Sequence, residues 1–298
     1  MTAKLRLLAT AILSSLASAA SAGSERVPPC DVCAAWNEAQ APFKLYGNAW
    51  YVGPHGLGSI LITSDKGHVL IDGALPESAP KIAASVRALG FRVQDIKVIL
   101  NSHVHYDHAG GIAELQRSSG AKVWASPASA KVLEHGGVGP DDPQFGTLEP
   151  IAKVAHVSVL EDGGIVRVGP LAITAHFTPG HTPGGTSWSW KSCEGERCLS
   201  MVYADSLTPV SAPDFKFTHS TRYPGALKDF EKSFATIAAL PCDLLVNTHP
   251  EITGLWQRLE KRESQGNRDA LVDPTACAMY VEASRERLRK RLTEESAN

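Results

Sequence analysis

Val98-Ile99-Leu100-Asn101-Ser102-His103-Val104-His105-Tyr106-Asp107-His108-Ala109-Gly110-Gly111 is the stretch on which the reading of this 298-residue chain turns. Its first three residues form a short β-branched-rich apolar run, the mark of a buried strand. His103, His105, Asp107 and His108 then place four metal-competent side chains within six residues. Extended backbone sends residues two apart to the same side, so His103 and His105 can reach one ion together. The neighbours Asp107 and His108 diverge unless the chain turns. Gly110 and Gly111 follow, and Ile112 and Leu115 open a helical pattern. The geometry predicts strand, ligand-bearing loop, helix. One metal takes three or four protein ligands. This loop offers too many, too differently aimed, for a single ion, and two adjacent metals are the economical reading. An isolated histidine is ordinarily a surface or hydrogen-bonded residue. A histidine tag or storage tract would be compositionally simple, whereas here apolar and aromatic residues interrupt the tract and regular structure flanks it.

Working outward, the composition is that of an ordinary globular protein, with 43% hydrophobic and 20% charged residues. The net charge of −2 carries no long run of one sign, so neither nucleic acid nor an anionic membrane is indicated as a partner. Residues 1–22 stand apart: Lys4 and Arg6, an apolar stretch from Leu7 to Leu16, then Ala20-Ser21-Ala22. That layout is a cleavable secretory signal, too short in its apolar part to span a bilayer. The expectation is export to a bacterial periplasm, with residues 23–298 folding as one domain. No sequence feature demands a partner chain, so a monomer is expected.

Export makes the six cysteines candidates for disulfides. Cys193 and Cys198 flank a plausible turn between two strands. Cys242 precedes a strand and Cys277 lies in a late helix, and a bridge would pin that helix to the sheet. Cys30 and Cys33 are either paired locally or leave one thiol free. Thiolate-zinc and redox readings of Cys30-x-x-Cys33 lack, respectively, a second such pair and a βα context.

Strands are expected at Ala49–Val52, Ser59–Thr63, His68–Asp72 and Ala121–Ala125, with helices at Pro76–Leu89 and Pro127–Leu133. Residues from Gly23 to Pro42 read as a loosely held arm. Val138 to Pro150 is a long Gly, Pro and Asp-rich loop of the kind that is functional or mobile. Later strands are Val154–Leu160, Ile165–Val168, Leu171–Phe177, Thr186–Trp190, Leu199–Tyr203 and Asp243–Asn247. Helices cover Gly225–Leu240, Gln257–Gln265 and Pro274–Glu294. Several strands end in a polar, metal-competent loop: His103 to His108, His181, Asp205-Ser206 and His249. Sites collect beyond the carboxyl ends of strands in helix-flanked sheets. Two similar halves follow, giving an α/β four-layer αββα sandwich: two mixed sheets, helices on the outer faces, and the site on one rim.

Assembled in order, His103-x-His105-x-Asp107-His108, His181 in Pro179-Gly180-His181-Thr182-Pro183-Gly184-Gly185 and His249 make the chain resemble the metallo-β-lactamase-fold hydrolases, from about Tyr46 to the C-terminal helix. Gly184-Gly185-Thr186-Ser187-Trp188, Tyr203-Ala204-Asp205-Ser206-Leu207, Thr248-His249-Pro250 and the pair Cys242 and Cys277 resemble the third β-lactamase subclass, whose second metal uses histidine rather than cysteine. The resemblance implies two Zn2+ ions, one on His103, His105 and His181, the other on Asp107, His108 and His249. It implies hydrolysis of the amide bond of penicillins, cephalosporins and carbapenems, and hence antibiotic resistance, by a water ionised between the metals. Asp107 would both ligate and orient that water, and Ser206 and Thr208 would meet the substrate carboxylate. Val138 to Glu149 and the segment near Pro209 to Phe217 would border the cleft.

In related hydrolases such as glyoxalase II, an aspartate in a similar stretch bridges both metals. Here Asp205 is read as supporting a ligand, with Ser206 facing the substrate, and spacing leaves the one-residue shift open. Asp72 reads equally as a ligand's support or a turn residue. His55 is the remaining histidine most worth watching. Another hydrolase on the same scaffold, an iron-binding redox protein and a non-catalytic metal module are the alternatives. The signal segment and three possible disulfides weigh against a cytosolic thioesterase, and no sequence remains for a flavin domain.

Overall fold

The structure, a computed structural model, describes residues 30–297; the expected signal segment, residues 1–22, lies outside them. The first sheet contains β1 (Phe43–Tyr46), β2 (Ala49–Tyr51), β3 (Ile60–Ile62), β4 (His68–Ile71), β5 (Ile96–Leu100), β6 (Lys122–Ala125) and β7 (Val157–Val159), in that order. It is antiparallel up to β4 and parallel from β4 to β7. The second holds β8 (Ile165–Val168), β9 (Leu171–Phe177), β10 (Thr186–Glu194), β11 (Arg197–Ala204) and β12 (Leu244–Asn247) in reverse order, with only β11 and β12 parallel.

The central strands are apolar without a break because both of their faces are covered. Along β4 and β5, Val69, Ile71, Val98 and Leu100 enter the core between the sheets. Leu70, Ile96 and Ile99 point the other way, into helices α2 (Ala79–Ala88), α4 (Ile112–Ser119) and α5 (Pro127–His135). Trp188, Met201, Tyr203 and Val246 fill the inter-sheet core from the second sheet. Val202 and Leu245 face outward against Phe230, Phe234 and Ile237 of α6 (Ala226–Ala239) and Tyr280 and Leu288 of α7 (Ala276–Ala297). The architecture is therefore the expected helix, sheet, sheet, helix stack. Among the described residues no helix is long and apolar enough to cross a membrane.

Local chemistry sets the ligand loop. Asp72 leaves β4 at φ 60°, a left-handed conformation aspartate tolerates. There its carboxylate accepts from Ser102 N at 2.7 Å, Ser102 Oγ at 2.6 Å and Tyr203 OH at 2.8 Å. Asp72 thus supports the residue before His103. A one-turn helix, α3 (Tyr106–Ala109), supplies the turn that swings Asp107 and His108 back. Close packing behind it excludes any side chain: a Cβ on Gly111 would lie 2.2 Å from Gly73 O, and one on Gly110 2.3 Å from Tyr106 O.

β1 is not among the expected strands, and three further places depart from expectation, two of them for tertiary reasons. The hairpin β10–β11 runs past Trp190 to Glu194 because its polar end is satisfied across the sheets, Ser192 Oγ donating to Tyr46 O at 2.9 Å. The segment expected from Val154 to Leu160 is a strand only over β7. The arm is not loose from Cys30 onward. It carries the short helix α1 (Cys33–Trp36), and Gly56 N donates to Trp36 O at 3.0 Å and His55 N to Glu38 O at 2.9 Å. Cys30 and Cys33 are bonded to each other, as are Cys193 with Cys198 and Cys242 with Cys277.

The C-terminal helix anchors the segment that borders the site. Glu295 accepts from Phe217 N at 3.0 Å, Thr218 N at 2.9 Å and Arg291 Nε at 2.7 Å, and Arg291 Nη2 donates to Ser211 Oγ at 2.7 Å. Burial opposes ionisation of Glu295, but Arg291 and these donors outweigh it and lower its pKa. A depressed carboxyl stabilises the fold above its unfolded value of 4.5 and ceases to as pH falls through the folded value. Glu295→Gln is expected to cost about 1–2 kcal/mol at neutral pH. Urea unfolding of both proteins at neutral pH and near the folded pKa should show the gap closing on acidification. A gap indifferent to pH would refute the charge-based account.

Candidate metal centre

All six predicted ligands gather at one rim, beyond the carboxyl ends of β5, β9 and β12. The ligand atoms of His103, His105 and His181 lie within 4.8 Å of one another, and so do those of His103, Asp107 and His108. His249 closes the second group: its Nε2 is 3.2 Å from His108 Nε2 and 3.4 Å from Asp107 Oδ2, which in turn is 3.1 Å from His108 Nε2. Five of the six are buried, and His249 is partly open at 21% side-chain exposure. His249 is therefore the ligand most open to solvent.

The ring nitrogens are oriented from behind. His103 Nδ1 donates to Asp205 Oδ1 at 2.6 Å, leaving a buried Nε2 without a hydrogen-bond partner. His181 Nδ1 donates to the Thr208 carbonyl at 2.7 Å, which likewise leaves Nε2 bare. His105 Nε2 lies 3.1 Å and 3.2 Å from the two oxygens of Asp142. A buried imidazole lone pair without a donor is costly, and the bare nitrogens of His103 and His181 converging beside His105 and the Asp107 carboxylate suit a cation. The donor set of neutral nitrogen and carboxylate oxygen fits Zn2+.

Electrostatics agree at His103, His181 and Asp107, whereas at His105 burial lowers the imidazole pKa but Asp142 outweighs it and raises it. Burial, followed by the neighbouring histidines, holds His103 well below the ordinary imidazole range, and burial and His105 push His181 down to about 3. Both are neutral and able to ligate. Burial opposes ionisation of Asp107, yet His108 and His249 outweigh it and hold its carboxyl well below the usual range. Burial raises Asp72 to about 7 and Asp205 well above a normal carboxylate.

A family description, the Metallo-beta-lactamase superfamily, matches residues 53–249. The chain belongs to this superfamily. It is similar over 100% of the other chain and 90% of its own to the Rm3 metallo-beta-lactamase, at 58% identity and TM-score 0.88. Similarity to MEM-A1, a subclass B3 metallo-beta-lactamase from a soil metagenome library, is 50% with TM-score 0.86, covering 88% of this chain and 99% of that one. For SMB-1 the identity is 42% and the TM-score 0.84, over 87% and 99%. Curated relatives are hydroxyacylglutathione hydrolases, among them that of Bradyrhizobium sp. at 34% identity over 36% of this chain. The chain spans about a third of the length of the first of these relatives.

Within this superfamily frame Asp205 sits behind His103, not among the converging atoms. Ser206 is buried, its Oγ 2.9 Å from Thr248 Oγ1, and Thr208 is partly exposed beside His181. His55 stacks on Trp256 with ring centroids 4.2 Å apart, a packing role. Sequence reasoning missed Trp36, whose ring lies 5.1 Å from that of His249, and Asp142 and Gln144 at His105. An aspartate in a Gly and Pro-rich loop looks like any turn former, and a lone tryptophan in a polar arm carries no period.

Proposed function

We propose that the chain is a zinc-dependent β-lactamase that hydrolyses the amide bond of penicillins, cephalosporins and carbapenems and so confers antibiotic resistance. The observation that carries this reading is the convergence of six nitrogen and oxygen donors on one accessible rim. The full-length similarity to B3 enzymes names the substrate class. His103, His105 and His181 would hold one Zn2+, and Asp107, His108 and His249 the other. When bound, the ions supply Lewis acidity and bring the pKa of a water to about 7.

The protein's own contributions follow from the geometry. Imidazoles are neutral donors and leave the cations strongly electrophilic. Asp107 would orient the attacking water through one carboxylate oxygen while the other side of the group faces His108 and His249. No lysine or arginine lies between Ser206 and Pro213, so the substrate carboxylate would be met by the hydroxyls of Ser206 and Thr208 and by backbone amides. Ser206→Ala should raise KM more than it lowers kcat. A fall in kcat alone would remove the binding role. The leader in residues 1–22 supports export to the periplasm, with residues 23–298 as one domain acting as a monomer.

The deciding experiment pairs zinc analysis with hydrolysis of a chromogenic cephalosporin, with and without a chelator. About two zincs per chain and chelator-sensitive turnover are expected. Metal-replete protein that leaves every β-lactam intact would overturn the reading.

A further inference from the structure

We propose that Asp142, carried by the long loop between α5 and β7, is a positioning residue that selects the tautomer of His105 and aims it at the first metal. The proposal rests on the metal assignment above. Both side chains are buried, at 3% exposure each, and both carboxylate oxygens lie within 3.2 Å of His105 Nε2. An ionised carboxylate only accepts, so the proton sits on Nε2 and the lone pair on Nδ1. Gln144 Nε2, 3.2 Å from His105 Nδ1, donates to that same lone pair, the one a cation would take in its place. His103 and His181 show the opposite arrangement, each donating from Nδ1. Without Asp142, the Gln144 contact alone, among the described residues, would hold His105 to the tautomer that its neighbours do not use.

The carboxylate is itself held. Asp142 Oδ1 accepts from Gln144 N at 2.8 Å, and Asp142 N donates to Gly139 O at 3.0 Å. The next residue ties the loop across the cleft, Pro143 O accepting from Ala212 N at 2.8 Å. The loop that borders the cleft is therefore fastened to a metal ligand on one side and to the segment after Thr208 on the other. A carboxylate behind a ligating imidazole fixes ring orientation and raises ligand basicity.

Nitrogen-15 imidazole spectra of the zinc-loaded full chain should show His105 protonated on Nε2, and His103 and His181 on Nδ1. A His105 protonated on Nδ1 overturns the proposal, with no variant required to fold. Zinc titration against a chromophoric chelator should show first-site affinity falling about 10–100-fold in Asp142→Ala. The loss should be smaller in Asp142→Asn, whose amide oxygen can still accept, and the second site should be unchanged. Variants that hold both metals as tightly as the natural chain overturn this inference alone. A natural chain that takes up no metal overturns the proposed function with it.

Discussion

Replacing Asp107 with alanine is expected to lower kcat/KM for β-lactam hydrolysis by about a hundred- to ten-thousand-fold, the range for loss of a group that handles a proton in the transition state. Two losses combine at this one residue. Its Oδ2 is the only carboxylate oxygen among the described residues close to both His108 Nε2 and His249 Nε2, at 3.1 Å and 3.4 Å. Alanine would leave the second cation two neutral imidazoles, too few for a stable site. On the proposed mechanism the same carboxylate would orient the attacking water, so excess zinc should restore occupancy without restoring rate. Asp107→Asn separates the two, since it keeps an oxygen ligand and loses the charge. Steady-state kinetics at several zinc concentrations read the rate, and metal analysis reads the occupancy. An alanine variant within about threefold of the natural rate, less than 1 kcal/mol in the barrier, would remove Asp107 from the chemistry.

Phe230→Ala should destabilise the fold by about 3–5 kcal/mol, the range for deleting a buried aromatic ring. The ring is fully buried, with Phe217 and Phe234 at centroid distances of 5.6 Å and 5.9 Å. It also lies directly under the His181 loop: a Cβ on Gly180 would come 2.8 Å from the Phe230 ring, and Ser233 Oγ, one turn along, donates to Pro179 O at 2.6 Å. Gly180 has φ +135°, so no other residue suits that approach. The cavity should therefore loosen His181 as well as the core. Urea unfolding gives the stability loss, and zinc affinity at the first site gives the effect on the ligand. A change below about 1 kcal/mol would show that the neighbouring helix collapses into the space and that Phe230 does not support the loop.

How far the site could be read in advance depended on sequence distance. The run from Val98 to Gly111 states its own geometry, because strand periodicity, ligand spacing and the glycine pair all act within a few residues. His181 and His249 were legible only as strand-end residues in a familiar order. Asp205 is the instructive case: spacing left its role open by one residue, and the 2.6 Å contact with His103 Nδ1, 102 positions away, puts it behind the ligand. The arm read as loose because Trp36 and Asn37 have no local pattern, although Ser78 Oγ holds Asn37 at 2.8 Å and Lys81 also binds it.

Sequence alone determined the order of elements from β2 onward, the buried character of the central strands and the identity of the converging donors, since these follow from periodicity and side-chain chemistry carried by each segment. The ring-nitrogen partners of His103, His105 and His181, the clasp of Asp142 on His105, the packing of Trp36 against His249 and the satisfaction of the long hairpin's polar end were decided only by the tertiary structure. Each depends on a hydrogen-bond or ring partner brought into reach by the stacking of two sheets, and no local pattern encodes a partner that many residues of intervening chain must first fold to deliver.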